Sequence, residues 1–388
     1  MKDKIIFSIN IIRFSSLTAI WTYTGIALYD FYHLSTLLVI IFYSLGYPIL
    51  VISYILAGHL TDSIGSRNTI IISLFLTSTV LFLGFFLTSG IEGIIILSIQ
   101  AFLNSLYVTS SSTATGALSS RSVKDLLLSF SRFRAGINLG WVIGPILGGL
   151  LYYYVGWEYI LLLGSLGNLI SIPIAYKLNI KRNTNNSLHR KYFIKPSKYL
   201  MEIIIVQFIF AFVGSQVLFG FTVYSTNILK ISSLLIGYFI SLNSVITALF
   251  QEPIGRYMAK LNLSHLKYMY MLGSFAFSMS YLSIFYPGNI VGLTMFIIFI
   301  SLGEIILNPI ILSVSYIISF KYHSKGIGMA MGSTRMAEGL GRAFSTSFTA
   351  YLFSIHDYEI SFTLLSLVGV IGLIINRVIY NSLKNEVI

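Results

Sequence analysis

The chain contains no cysteine. That absence excludes disulfides, thiolate metal sites and cysteine nucleophiles together. Charge is also scarce: charged residues make up 10% of the 388, against about a quarter in an ordinary soluble domain. Acidic residues are the scarcer sign, 13 against 25 Lys and Arg. The six His residues are scattered, with none paired at the spacing of two helical metal ligands. There is no Gly-x-Ser-x-Gly elbow and no phosphate loop ending in Gly-Lys-Ser/Thr, so no ATP motor is encoded. Without a nucleophile–base or metal constellation, neither an enzyme nor a cofactor is expected.

Apolar residues are abundant. They make up 56% of the chain, and the mean hydropathy is +0.83. The sequence breaks into about twelve apolar segments of roughly 20 residues, each long enough to cross a bilayer core of ~30 Å. They lie near 5–30, 36–57, 69–88, 92–117, 129–154, 157–177, 199–224, 232–255, 267–286, 289–318, 326–353 and 359–381. None alternates apolar and polar residues with a period of two, so helices rather than a barrel satisfy the backbone in lipid. The expected fold is an all-α integral membrane protein of twelve transmembrane helices. The N-terminal MKDKIIF opens a run too long for a secretory signal and reads as an uncleaved first span.

Position explains the net charge of +12. An even number of spans puts both termini on one side. All Lys and Arg except Lys230, Arg335 and Arg342 then fall on that side or at its helix ends, and the opposite loops hold Asp30, Glu92, Glu158, Asp357 and Glu359. By the positive-inside rule the basic side is cytoplasmic. The basicity is therefore a topology signal, not a nucleic-acid footprint. The expected location is the cell membrane, with anionic lipid headgroups against the basic loops.

The basic, Asn-rich stretch at 178–198 divides six spans from six. It separates an N-terminal bundle at 1–177 from a C-terminal bundle at 199–388. An offset of 197 residues carries Gly58 onto Gly255 and Gly144 onto Gly341. Two parallel six-span repeats fit a secondary transporter whose site lies between halves.

Residues 58–67, GHLTDSIGSR, resemble the loop after span 2 of the major facilitator superfamily: Gly58, Asp62, Gly65 and Arg67 match, while Ser63 and Ser66 replace basic residues. The resemblance implies a cytoplasmic latch in which Asp62 accepts hydrogen bonds or faces a helix N-terminus. The second copy, QEPIGRYMAK, keeps Gly255 and Arg256 but has Ala259 at the acid position. Span 5 contains GWVIGPILGG, which is similar to a signature of the family's multidrug–proton antiporters through Gly140, Gly144, Pro145, Gly148 and Gly149. Glycines at i, i+4 and i+8 also form a small face for close helix packing, and Pro145 is a kink site. Gly303, Glu304 and Pro309 in span 10 resemble an element of some exporters and of proton-coupled peptide transporters.

Span 11 holds GSTRMAEGLGR. Arg335, Glu338 and Arg342 fall within about 60° on one helix face, at depths of roughly 14, 18 and 24 Å from an entry at Gly326. A charge at such depth costs about 2.5–3.5 kcal/mol, so this face should meet protein or water. Two readings follow for these charges and Glu304. One is a structural ion-pair cluster. The other makes Glu304 and Glu338 proton carriers, with Arg335 and Arg342 as counter-ions or ligands of an anionic substrate group.

Further polar candidates for a cavity are Tyr23, Gln100, Asn104, Asn138 and Gln216, with Trp141, Trp21 and Tyr107 as a candidate aromatic wall. Gln207 and Asn243 are lesser ones. Arg13, near the start of span 1, is expected to snorkel to the interface. The leading expectation is a monomeric proton-coupled exporter of small amphipathic molecules. Its alternatives are a symporter importing a sugar, peptide or organic anion, and a non-transporting receptor or assembly protein of the same fold.

Overall fold

The computed structural model describes residues 3–119, 122–180, 196–217, 220–231, 233–284, 290–324, 326–354 and 358–370. Among the described residues there are helices and connecting turns and no strand. The order is α1 (Asp3–Asp30), α2 (Thr36–Ile64), α3 (Ser66–Gly84), α4 (Gly90–Leu118), α5 (Val123–Tyr154) and α6 (Trp157–Tyr176). It continues with α7 (Lys198–Gly214), α8 (Gly220–Asn227), α9 (Ser233–Met258), α10 (Leu263–Ser283), α11 (Ile290–Tyr322), α12 (Ile327–Ser354) and α13 (Tyr358–Val370). Eight described stretches are long and apolar enough to cross a membrane on length and composition. The charged α12 is not among them. Most of the basic stretch at 178–198 and the end of the expected last span lie outside the described residues.

The helices gather into two compact units. One holds α1–α4, α5 from Arg132 onward, α6, and α12 up to Met336. The other holds α5 up to Ser131, α7–α11, α12 from Ala337, and α13. Each unit thus takes the N-terminal part of one helix whose remainder lies in the other.

Two element boundaries differ from expectation. The stretch after span 2 is not a loop: α2 continues to Ile64, and Gly65 alone separates it from α3. HLTDSI contains no helix breaker, so the helix runs on until a residue adopts φ +88°, which Gly65 does without steric penalty. The seventh span is broken. α7 ends at Gly214, a 3-10 turn covers Ser215–Val217, and α8 starts at Gly220. The Gln216 side chain accepts the Gly220 amide (3.1 Å) and donates to Ser345. In an apolar surrounding, a broken helix persists where its freed backbone groups find partners, and Gln216 supplies one.

Small residues bring helices together in the first unit. A Cβ on Gly140 would lie 2.5 Å from the Phe14 Cβ, one on Gly144 would lie 2.5 Å from the Ser15 carbonyl oxygen, and one on Gly148 would lie 3.0 Å from the Ala19 Cα. The signature of span 5 is therefore a seam against α1, closed further by Thr18 donating to the Gly140 carbonyl at 3.1 Å. In the second unit Gly341 makes the related approach of α12 to α7, at Phe208, Ala211 and Phe212.

Candidate functional site

The first polar constellation lies where α2 meets the start of α12, within the first unit. Gly58 and Gly328 touch almost backbone to backbone: a Cβ on Gly58 would sit 2.6 Å from the Gly328 oxygen and 2.7 Å from the Met329 Cα. That closeness sets Asp62, one turn further along α2, against the first turn of α12. Its two carboxylate oxygens accept the Gly328 amide at 2.7 Å and the Met329 amide at 2.8 Å. These are two of the amides that a helix N-terminus leaves unpaired, and the positive end of the helix favours the carboxylate. Arg67, just past Gly65, donates to the Tyr176 carbonyl at 2.9 Å and lies over its ring, capping the end of α6. The second copy of the motif is built differently. Gly255 packs on Ser131 of α5, and Arg256 forms an exposed pair with Glu252 at 2.7 Å.

α12 carries Arg335, Glu338 and Arg342. Glu338 and Arg342 form an ion pair of 2.9 Å along one helix face, with side-chain exposures of 14% and 49% respectively. Arg335 is buried, and Glu304 is half-buried on α11. Asn138 is buried and Trp141 half-buried on α5.

Two of the expected cavity residues have defined packing partners. Gln216 has both ends of its amide engaged at the helix break. Tyr23 lies in the glycine groove of α5, stacks on Tyr152, and donates to the Pro145 carbonyl at 3.3 Å. Asn243 donates to Ser301 at 2.9 Å, and Gln207 is buried.

The expectation for Arg13 is overturned. Its side chain does not reach the interface; the residue is 0% exposed. α1 begins at Asp3, so Arg13 lies about 15 Å along the helix, and α4 holds it there. Nη2 donates to the side-chain Oδ1 of Asn104 at 2.9 Å, and the guanidinium carbon lies 3.9 Å from the centre of the Tyr107 ring. Tyr107 in turn donates to Asn10 at 2.6 Å, and Asn10 donates to the Phe133 carbonyl at 3.0 Å. Tyr107 is thus the floor under a buried cation. Gln100, one turn from Asn104 on the same face of α4, is also 0% exposed, and neither atom of its amide has a partner among the described residues. Among the described residues no cluster of three or more His, Asp or Glu is suited to a metal ion.

Comparison with known proteins agrees with this architecture. The family model of the Major Facilitator Superfamily matches residues 6–346. The chain belongs to that superfamily. No curated protein sequence matches it. Among solved structures it resembles the human organic anion transporter MFSD10 (TETRAN), with TM-score 0.79 and 15% identity over 96% of this chain and 98% of that one. It also resembles a bacterial homologue of the iron transporter ferroportin in an outward-facing state, with TM-score 0.69 and 14% identity over 99% and 100% of the two chains. A third is the proton:xylose symporter XylE bound to 6-bromo-6-deoxy-D-glucose, with TM-score 0.72 and 13% identity over 96% and 94%. At these identities the likeness is one of fold. The chain is a multi-pass membrane protein of a transporter family.

Proposed function

We propose that the protein is a secondary active transporter that exports small amphipathic molecules in exchange for protons by alternating access, acting as a monomer in the cell membrane. The observation that carries this reading is the Asp62 cap on α12. It consists of two charge-assisted hydrogen bonds onto helix-end amides beside an almost backbone-to-backbone glycine crossing. Such a contact holds one state firmly, and its two hydrogen bonds can be exchanged for water when it opens. That is the energetic character of a latch rather than of a core.

Proton coupling is assigned to Glu304 and Glu338. Both are partly buried carboxylates on helices rich in small and apolar residues. Burial favours the protonated acid and a neighbouring Arg favours the ionised one. Arg342 beside Glu338 is such a neighbour. A movement that separates acid from base then changes proton affinity at the moment the site changes sides. The α5 glycine seam, with its resemblance to proton antiporters, supports export over import.

The test is purified protein in proteoliposomes under an imposed pH gradient, with candidate amphipathic compounds added one at a time. Substrate-dependent proton counterflow is expected, and Glu304→Gln should abolish it while leaving membrane insertion intact. Flux in Glu304→Gln that still follows the pH gradient would remove Glu304 from the mechanism. Proton and substrate moving in the same direction would replace export with import.

A further inference from the structure

We infer that Arg13, with Asn104 and Gln100, is a receptor for the anionic head of the transported molecule: a carboxylate, or another singly charged oxyanion, on an amphipathic body. Arg13 is completely enclosed, yet among the described residues its Nε and Nη1 have no hydrogen-bond partner. The polar contact its side chain makes there, Asn104, is neutral. The acids of its unit are placed elsewhere. Asp62 holds the α12 amides, Glu92 caps α4, Asp3 and Asp30 end α1, and Glu158 lies in the first turn of α6. A buried cation compensated by two aromatic rings and a neutral amide is expensive. A structural role gives no reason to keep the charge, because an uncharged side chain of similar volume would fill the same space at lower cost.

The arrangement of donors indicates the ligand's sign and size. α1 and α4 pair in antiparallel register, Asn10 with Tyr107 and Arg13 with Asn104. That register sets Gln100 one helical turn, about 6 Å, beyond Asn104. A carboxylate held between an Arg N–H and a Gln N–H spans a similar length at ordinary hydrogen-bond distances. Gln100 is fully buried, and both its amide atoms lack a hydrogen-bond partner among the described residues. Whereas Arg13 is enclosed, Asn104 is only half-buried. Its carbonyl oxygen occupies the position an anionic oxygen would take. An incoming oxyanion displaces it, replacing a neutral acceptor with a charged one that binds roughly twice as strongly. Asn104 is thus a placeholder that keeps the guanidinium satisfied while the site is empty. The apolar body of the ligand meets the aromatic wall of Tyr107 and Phe14.

The inference rests on the transport reading for its meaning, but binding and flux are separable. The full-length protein in phosphatidylcholine nanodiscs is melted in the presence of octanoate, octanamide or octylamine. Octanoate should raise the melting temperature saturably, and its uncharged amide and the cation should not. Arg13→Gln should melt at or above the wild-type temperature without ligand, since an uncompensated charge is gone, and should bind octanoate at least tenfold more weakly. Arg13→Lys should keep the preference for octanoate over octanamide at reduced affinity, and provides the readout if the Gln variant does not fold. Equal response to octanoate and octanamide, or unchanged octanoate affinity in the Arg13 variants, overturns the inference. So does a wild type whose octanoate response disappears in phosphatidylglycerol nanodiscs, which would assign the site to lipid headgroups. Octanoate binding that depends on Arg13 without flux of any compound in proteoliposomes would instead count against transport.

Discussion

Gly58 shows how much one missing methyl group decides. It lies at the α2–α12 crossing, where an added Cβ would meet the Gly328 oxygen and the Met329 Cα, both backbone atoms that cannot swing aside. Asp62 reaches the α12 amides only because that crossing is so close. Gly237, on an exposed position of α9, has nothing within 4 Å of the same virtual atom. The two glycines should therefore respond oppositely to alanine. Gly58→Ala should destabilise by about 1–3 kcal/mol, as overpacking does, and should loosen the Asp62 cap with it. Gly237→Ala should be neutral or stabilising by up to about 1 kcal/mol, the usual gain from replacing an exposed helical glycine. Melting temperatures of the two variants in one detergent check the pair. A Gly58→Ala protein as stable as Gly237→Ala would mean that the crossing opens without penalty. Arg13 makes the complementary point about polar residues. From its place near the start of a span it reads as an interfacial arginine. Its burial depends on Asn104 and Tyr107, more than ninety residues away in sequence, and no local pattern carries that information.

At the level of elements, hydropathy located the helices well because lipid forces long apolar runs to be helical. It located their ends less well. GHLTDSIGSR is polar enough to look like a loop, yet only Gly65 leaves the helical conformation. The opposite error occurs in the seventh span, where SQV sits in an apolar run and the break is invisible to hydropathy. There Gln216, expected among the cavity residues, bridges the break with its side chain. Gln216 joins three segments: its own 3-10 turn, the start of α8 through the Gly220 amide, and α12 through Ser345. Ser345 also donates to the Phe212 carbonyl, so the contact is a small network. Truncating the amide leaves a buried N–H without its partner, which costs about 1–3 kcal/mol. Gln216→Ala should therefore melt lower by that amount, and deuterium exchange should quicken in 220–227 while α9 and α11 stay unchanged. Exchange that quickens across the whole second unit would point to a general packing defect rather than a local repair.

Across the whole chain, the repeat read from two glycine pairs has a physical counterpart. The 197-residue offset that carries Gly58 to Gly255 also carries Ser131 to Gly328. In the structure Gly58 packs on Gly328, and Gly255 packs on Ser131. The same offset carries Ser15 to Phe212, and these lie against Gly144 and Gly341 respectively. Duplicated helix crossings are thus retained where sequence similarity is nearly gone, because a close approach permits few residue types whereas a lipid-facing surface permits many. The polar chemistry is not duplicated: Asp62 corresponds to Ala259, and Arg335 to Asn138. The expected orientation in the membrane rests on another whole-chain property, the expected gathering of Lys and Arg on one side. The absence of native cysteine makes it directly testable, since a single introduced thiol is the only one present. Ser89 caps α4 at the end expected to face outward, and Ser197 caps α7 at the basic end. In intact cells a membrane-impermeant maleimide should label Ser89→Cys and leave Ser197→Cys unlabelled until the membrane is permeabilised. The reverse pattern would invert the topology. The end of α2 that carries Asp62 would then lie outside, and the proton and substrate directions assigned above would have to be exchanged together.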